Sequence, residues 1–273
     1  MEKVITLIAT TPRLPLLTKQ ALPSIASQIR PPEAVVLVSD TRPITQEEQK
    51  RLQSELKSIP LHILNNSRSP GAAGSWNTGI DFIHKHIPDS YIAIIDDDDI
   101  WHPEHLSSCI AASNSGKADI ILSGINVNIN DKTVQTLIPN DISQRDFLIG
   151  NPGWQGSNTF IKSKLAVKVD GFTDGLISGN DRDFAIRILE SNSVDIGYTN
   201  QATVDWICNQ SPDALSAPGS AQKLRGSAQF LKLHGNKMSQ QEMDIYFQRA
   251  NKLFALSKSV ILKELKKIGG NDE

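Results

Sequence analysis

The stretch AIIDDDDIWHPEHL, Ala93–Leu106, sets four consecutive aspartates directly behind an apolar run. Two unit charges about 4 Å apart repel by about 1 kcal/mol even in water, and by several times more near a protein interior. Such a run requires either full solvation or a cation. Ile100 and Trp101 follow at once, so an open, solvated turn fits poorly. In extended geometry residues two apart share a face, which brings Asp96 and Asp98 together about 6–7 Å apart along the chain. Oxygen ligands at that reach suit a hard divalent cation, Mg²⁺ or Mn²⁺. Helix capping accounts for little of the charge. Pro103 is placed as a first helical residue with His102 as its cap, which leaves the acids upstream.

On either side of this run, short apolar segments alternate with helical patterns. Strands are expected at Val4–Ala9, Ala34–Ser39, Leu61–Leu64 and Tyr91–Ile95, and helices at Leu16–Gln28, Gln46–Ser58 and Ser75–His86. Continuous apolar runs between helices mark strands covered on both faces, hence an α/β fold with a mostly parallel sheet. Past Asp99 the rhythm changes. Ile120–Ile129 and Thr133–Leu137 read as paired strands joined near Asn130–Asp131, with further strands at Thr159–Ile161 and Val204–Cys208. Asp181–Glu190 and the tail from Ala221 to Lys267 read as helical.

Composition narrows the function classes. The chain has 273 residues, enough for a substantial core, and a formal net charge of −2. That balance gives no reason to expect nucleic acid or an anionic membrane as partner. Cys109 and Cys208 lie far apart without CxxC or His spacing, which argues for a reducing compartment and against zinc. The N-terminal apolar run stops at Thr10-Thr11-Pro12, too short for a signal peptide, and no segment approaches the roughly 18 apolar residues of a membrane span. A soluble, cytoplasmic protein is expected.

In open parallel sheets, ligands bind beyond the carboxyl ends of the strands. Three such ends are polar here: Thr10-Thr11-Pro12-Arg13, Ser39-Asp40 and Asp96–Asp99. Each alone reads as an ordinary turn. Together they outline one crevice.

The ordered motifs then carry a resemblance. ITLIATTPRLPLLTKQALPSIASQ gives a strand, a turn and a helix; VVLVSDTR ends a second strand on an acid; Ser75-Trp76-Asn77-Thr78-Gly79 opens a helix. IIDDDDIWHP follows, then Asp170-Gly171-Phe172-Thr173-Asp174, then Asn180-Asp181-Arg182-Asp183-Phe184-Ala185-Ile186-Arg187. In order and spacing this resembles the family 2 glycosyltransferases of the GT-A group, from Val4 to about Ser216. The resemblance implies a Rossmann-like sheet flanked by helices, with a nucleotide-sugar-binding half (1–100), an acceptor-binding and catalytic half (101–216) and a C-terminal helical extension (217–273). It implies an inverting transfer from a nucleotide-sugar, most often a UDP-sugar, to a hydroxyl of a carbohydrate or glycolipid acceptor, in surface polysaccharide or glycoconjugate synthesis.

Residue by residue, the resemblance implies that Thr10 and Arg13 line the nucleotide pocket and that Asp40 accepts a hydrogen bond from the base. Asn77, Asp96 and Asp97 fall on the donor side, Asp96 at the ribose or an outer-sphere water. Asp98 becomes the main ligand of a Mn²⁺ or Mg²⁺ ion, with Asp99 beside it. Asp181 becomes the general base, a role for which a carboxylate within hydrogen-bond reach is adequate. Trp154, Asn180 and Asp183 are acceptor-side candidates. Asp181 and Asp183 also have a plainer reading, as acids enriched in a first helical turn. Trp154 reads equally as core packing. His234 reads as a helix-end residue.

The chain departs from the family pattern at Trp76, where an arginine is usual, at Asn180, where a glutamate is usual, and after the last strand, where ICNQSPDALSAPGS has no histidine. These departures keep a non-catalytic GT-A binding domain as the alternative. A HAD-type phosphohydrolase is the weaker rival, since its first strand would end on a nucleophile and this one ends on Ala9-Thr10-Thr11. A basic amphipathic pattern in Ser257–Lys267 admits peripheral contact with the inner face of a membrane, but packing on the catalytic domain is favoured.

Overall fold

The computed structural model of the chain describes residues 2–191, 193–208 and 218–269. Among these residues, nine strands form one sheet: β1 (Lys3–Thr10), β2 (Ala34–Ser39), β3 (Leu61–Asn65), β4 (Ser90–Asp96), β5 (Ile100–Trp101), β6 (Ile120–Ile129), β7 (Lys132–Leu137), β8 (Thr159–Lys162) and β9 (Ile196–Ile207). Their order is β3-β2-β1-β4-β8-β6-β9-β5, with β7 pairing β6. The first four strands pair in parallel, β8 joins β4 and β6 antiparallel, and β6 runs parallel to β9.

The continuous apolar strands work because the side-chain period is two. Ile5, Leu7, Val36, Val38, Ile92 and Ile94 pack into one core. Val4, Ile8, Val35, Leu37, Tyr91, Ala93 and Ile95 pack into a second. Both faces are thus covered, as the apolar runs require.

The helices are α1 (Leu14–Leu16), α2 (Leu22–Ala26), α3 (Gln46–Glu55), α4 (Ala72–His86), α5 (His105–Ala112), α6 (Gln144–Ile149), α7 (Ser163–Lys168), α8 (Asn180–Glu190), α9 (Ala221–His234), α10 (Gln240–Phe254) and α11 (Lys258–Gly269). The single helix expected over Leu16–Gln28 is α1 and α2 joined by a π-helical turn, Leu17–Ala21. Pro23 lacks the N–H that would bond the Lys19 carbonyl, and the Leu22 N–H instead reaches back to Leu17. The helix expected from Pro103 begins later. The His102 N–H is held by the Thr203 carbonyl, a turn closes from the His105 N–H to the His102 carbonyl, and α5 starts at His105. β9 is longer than the expected Val204–Cys208, while the hairpin at Asn130–Asp131 is as expected, with both residues at positive φ.

The helical tail breaks twice, at the 3₁₀ turn Gly235–Lys237 and at left-handed Ala255. Ser239 and Glu242 then open α10 with reciprocal cap hydrogen bonds. Phe230, Leu231, Tyr246, Phe247 and Ile261 join the same core as the sheet residues Ile92 and Ile94, so α9–α11 pack on the body of the protein. Among the described residues no helix is long and apolar enough to cross a membrane.

Candidate active site

Register brings the three polar strand ends to one edge. Thr10 of β1 lies opposite Ser39 of β2, and Ala9 lies opposite Asp96 of β4. A tight turn follows, in which the Asp99 N–H bonds the Asp96 carbonyl at 3.3 Å. The turn sorts the four acids: Asp97 and Asp99 are buried, whereas Asp96 and Asp98 keep an accessible side.

The two buried acids are struts. Asp97 accepts from the Thr10 hydroxyl at 2.5 Å and from both sides of the Arg13 fork, which ties the turn after β1 to the turn after β4. Asp99 accepts from the Ser157 hydroxyl at 2.5 Å and from the Ile207 N–H at 3.0 Å. Ser157 in turn accepts from the Asp96 N–H at 3.0 Å, and its carbonyl takes the Trp101 indole N–H at 2.7 Å. Asp99 thus has both oxygens engaged by protein donors, unlike its neighbour Asp98, whose one ion pair is Arg13 at 3.1 Å.

Electrostatics separate the acids further. Burial, reinforced by Asp99, Asp98 and Asp181, pushes the Asp96 carboxyl well above its ordinary range. Burial also raises Asp98, with Arg13 opposing the shift. The same acids crowd Asp99, which burial and then Asp98 push up despite the Ser157 and Ile207 donors. One arginine is too little positive charge for this turn.

Asp40, Asn77 and Trp154 illustrate how differently the other expected residues are placed. Asp40 accepts from the Asn66 amide at 2.7 Å and the Gly71 N–H at 2.9 Å, fixing the approach to α4. Each of its oxygens keeps a second lone pair. Asn77 is buried and clamps Phe172 twice, donating to its carbonyl and accepting from its N–H, both at 2.8 Å. A Cβ on Gly171 would lie 2.2 Å from the Asn77 amide oxygen, and its φ is +59°, so only glycine fits that turn. Trp154 corrects the acceptor-side expectation. It is fully buried, its indole N–H donates to Thr159 at 2.8 Å, and its ring meets Phe147 and Phe184 edge-on. A ring with no exposed face has none to offer a sugar.

Helix α8 brings the last group. Its first turn projects Asp181 toward Gly156, whose N–H and the Asp181 N–H both hold the Asp181 carboxyl down while burial, the larger effect, pushes it up to about 6. A Cβ on Gly156 would sit 3.6 Å from an Asp96 oxygen and 3.3 Å from the Trp76 ring, so Gly156 lies between the acidic turn and α8. Asp183 is another correction. It is buried and accepts from Thr173 at 2.8 Å, from Arg187 at 3.0 Å and from His234 at 2.9 Å. Burial would raise its pKa, but the His234 hydrogen bond, Arg187 and Thr173 outweigh it and hold the carboxyl below its ordinary value. Asp183 anchors α8 to the end of α9 and has no oxygen to spare for an acceptor. Asn180 starts α8 with a buried amide oxygen that no described residue satisfies.

Trp76, in place of the usual arginine, is buried against Phe172 with ring centroids 4.5 Å apart and adds no charge. The stretch in which a histidine is usual falls largely on residues 209–217, and it and the 216/217 boundary lie outside the described residues. Sequence reasoning missed Gly156, Ser157 and Lys223. The first two stand in the Gly-rich loop after Asn151, a signal of close backbone approach. Lys223, whose charge acts on Asp181, comes from α9, 42 residues on, and leaves no local signal.

Residues 10–175 match the model of glycosyl transferase family 2. An uncharacterized glycosyltransferase of Haemophilus influenzae is 22% identical over 182 residues, 63% of this chain and 57% of that protein. The chain thus spans just over half the length of that relative. Among solved structures, Staphylococcus aureus TarS 1–349 in complex with UDP-GlcNAc superposes with a TM-score of 0.64 at 16% identity, covering 94% of this chain and 74% of that one. The mannosyltransferase PcManGT of Pyrobaculum calidifontis, in complex with GDP-Man and Mn²⁺, does so at 0.59 and 14%, covering 97% and 73%. The sheet and its flanking helices therefore have the GT-A architecture, and the chain belongs to glycosyl transferase family 2.

Proposed function

We propose that the protein transfers a sugar from a nucleotide-sugar, UDP-linked by preference, to an acceptor hydroxyl with inversion, using Asp181 as general base. The observation that carries this reading is the contrast on α8: Asp183 is consumed by ion pairs, while Asp181 faces the acidic turn across Gly156 with a carboxyl pushed up to about 6. A base of that strength is charged at neutral pH and still accepts a proton readily. The acceptor oxygen attacks the anomeric carbon, its proton passes to Asp181, and the bond to the diphosphate breaks with its electron pair leaving on the nucleotide. Attack opposite the leaving group inverts the anomeric centre.

Among the described residues no group of three or more His, Cys, Asp or Glu side chains forms a ready-made metal cage. Two carboxylates with too little countercharge nevertheless suit Mg²⁺ or Mn²⁺, which commonly takes one or two carboxylates and completes its shell with water and substrate phosphates. Asp98 and Asp96 are the residues that would hold it, and Asp99 would stand behind them, oriented by Ser157 and Ile207. The cation, when bound, offsets the negative charge that grows on the departing diphosphate. Asp40 would read the uracil imide N–H with a remaining lone pair, and Thr10 and Arg13 would shape the pocket floor through Asp97. The acceptor would be a carbohydrate or glycolipid in surface polysaccharide or glycoconjugate synthesis.

The test is a panel of nucleotide-sugars screened by calorimetry with and without Mn²⁺, followed by product analysis. UDP binding tighter than ADP or GDP, and inversion in the product, are expected. Donor binding that ignores both the base and the metal would remove the reading.

A further inference from the structure

Beside Asp181, helices α8, α9 and α10 line a small recess, open to solvent on one side. Three cations line it, Arg182, Lys223 and Arg249, and none of its lining residues is acidic. Among the described residues, no carboxylate lies within ion-pair distance of any of the three. Most other arginines of the described residues are paired with acids, as Arg13, Arg30, Arg42, Arg68, Arg145 and Arg187 are.

The cations are held in place without being neutralised. Arg182 donates to the Phe147 and Leu148 carbonyls at 2.8 and 2.7 Å and lies 4.1 Å over the Phe230 ring. Lys223 donates to the Ser178 hydroxyl at 2.9 Å and lies 4.1 Å over the Phe254 ring. These contacts fix position and contribute cation–π attraction, but they add no negative charge. Burial, then Arg182 and Arg249, push the Lys223 ammonium down to about 8. Like charges gathered in a half-buried recess are a standing cost, which a bound anion removes.

The donor set points to phosphate. A carboxylate would neutralise one of three charges, whereas a phosphoryl group carries up to two and presents several acceptor oxygens. Guanidinium forks match phosphate geometry, and Arg249 has no protein hydrogen bond among the described residues to give up. The recess also adjoins the base. Arg182 follows Asp181 on α8, and the Lys223 charge acts on the Asp181 carboxyl.

We propose that this recess is a phosphate subsite, which holds a phosphoryl group of the acceptor beside the hydroxyl presented to Asp181. The acceptor class is then a phosphorylated glycan or polyol, or a phospholipid-linked sugar. The assignment of the phosphate to the acceptor rests on the transferase reading; the anion site itself does not.

The test is calorimetry on the full chain at constant ionic strength, with inorganic phosphate and glycerol 2-phosphate as probes and UDP–Mg²⁺ held at saturation. Both probes are expected to bind, and to weaken about tenfold or more in Arg249→Gln and in Lys223→Met, with UDP–Mg²⁺ affinity moving less than about twofold. Flotation with vesicles containing phosphatidic acid separates a lipid headgroup from a soluble phosphate, since only a lipid source makes vesicle binding depend on Arg249. Phosphate binding that UDP displaces, or that both variants retain, would place the anion in the donor crevice and overturn the proposal. So would absence of binding by both phosphate probes and by the vesicles. Phosphate binding intact in a chain that ignores UDP–Mg²⁺ would instead sink the transferase reading and leave the anion site standing.

Discussion

The acidic turn after β4 and the cationic recess beside α8 are both unbalanced in charge, with opposite signs and different construction. In the turn, two of four acids are consumed internally: Asp97 locks onto Thr10 and Arg13, and Asp99 onto Ser157 and Ile207. The imbalance falls on Asp96 and Asp98. In the recess no charge is consumed, and ring faces and carbonyls only position the cations. The difference teaches that a run of identical residues is not a run of identical roles. Two of the aspartates hold the turn in shape, and the other two keep an accessible side. Between these regions stands Asp181, touched by the fields of both, through Asp96 on one side and Lys223 on the other.

The largest expected effect breaks the chemistry at that junction. Asp181→Asn should slow transfer by about 10²–10⁴-fold, or 3–5 kcal/mol of barrier, with UDP–Mg²⁺ affinity nearly unchanged. A transfer rate within a few-fold of the parent would hand the role of base to another group.

Next in size is the structural acid two residues on. Asp183→Ala leaves Arg187 and His234 without their buried partner and should lower stability by about 3–5 kcal/mol in a denaturant melt. Its carboxyl is held below its ordinary value, so its contribution is present above the unfolded pKa and is lost as pH falls through the folded one. A loss under 1 kcal/mol would mean that the pairs are idle.

Asp181 should behave in the opposite sense. Its carboxyl rises from 3.8 to about 6 on folding, so the penalty of burying its charge is absent below about pH 4 and complete above about pH 6. With a chelator present, Asp181→Asn should therefore stabilise the protein at pH 8, by up to about 3 kcal/mol, and gain nothing near pH 4. Thermal melts of both proteins across that range give the answer. A variant that is less stable at pH 8 would show that Asp181 is satisfied in the fold.

The smallest effect sharpens the sorting within the turn. Asp98→Asn should weaken Mg²⁺-dependent nucleotide binding about 10–100-fold, or 1.4–2.7 kcal/mol, while leaving the apo fold intact, because it relieves repulsion. Ser157→Ala should affect the same binding less, by loosening Asp99. If Ser157→Ala proved the more severe, the open and buried acids would have exchanged places.

Much of this was legible in the sequence, for a physical reason. Period-two burial and polar strand ends are local patterns, so the parallel half of the sheet, the crevice and the acidic turn could be read from Val4 to Asp99. The π-helical turn could not be read from apolar periodicity, because it depends on how the helix reroutes around Pro23. The burial of Trp154 and Asp183 is not a local pattern, because it depends on chain well removed in sequence: Phe184 for the first, His234 for the second. The recess was invisible, since Arg182, Lys223 and Arg249 are each unremarkable surface-type residues until three helices bring them together.

The Asn77 clamp on Phe172 has a consequence for how the chain folds. One amide spans 95 residues to close the turn beside the site, and β8 must insert next to β4 across a gap of about 70 residues. Contacts so distant in sequence cannot form until long loops have been closed, which makes folding slow relative to helical proteins of the same size. During synthesis the amino-terminal half will emerge with the β4 edge unpaired and Trp76 lacking the Phe172 ring that covers it.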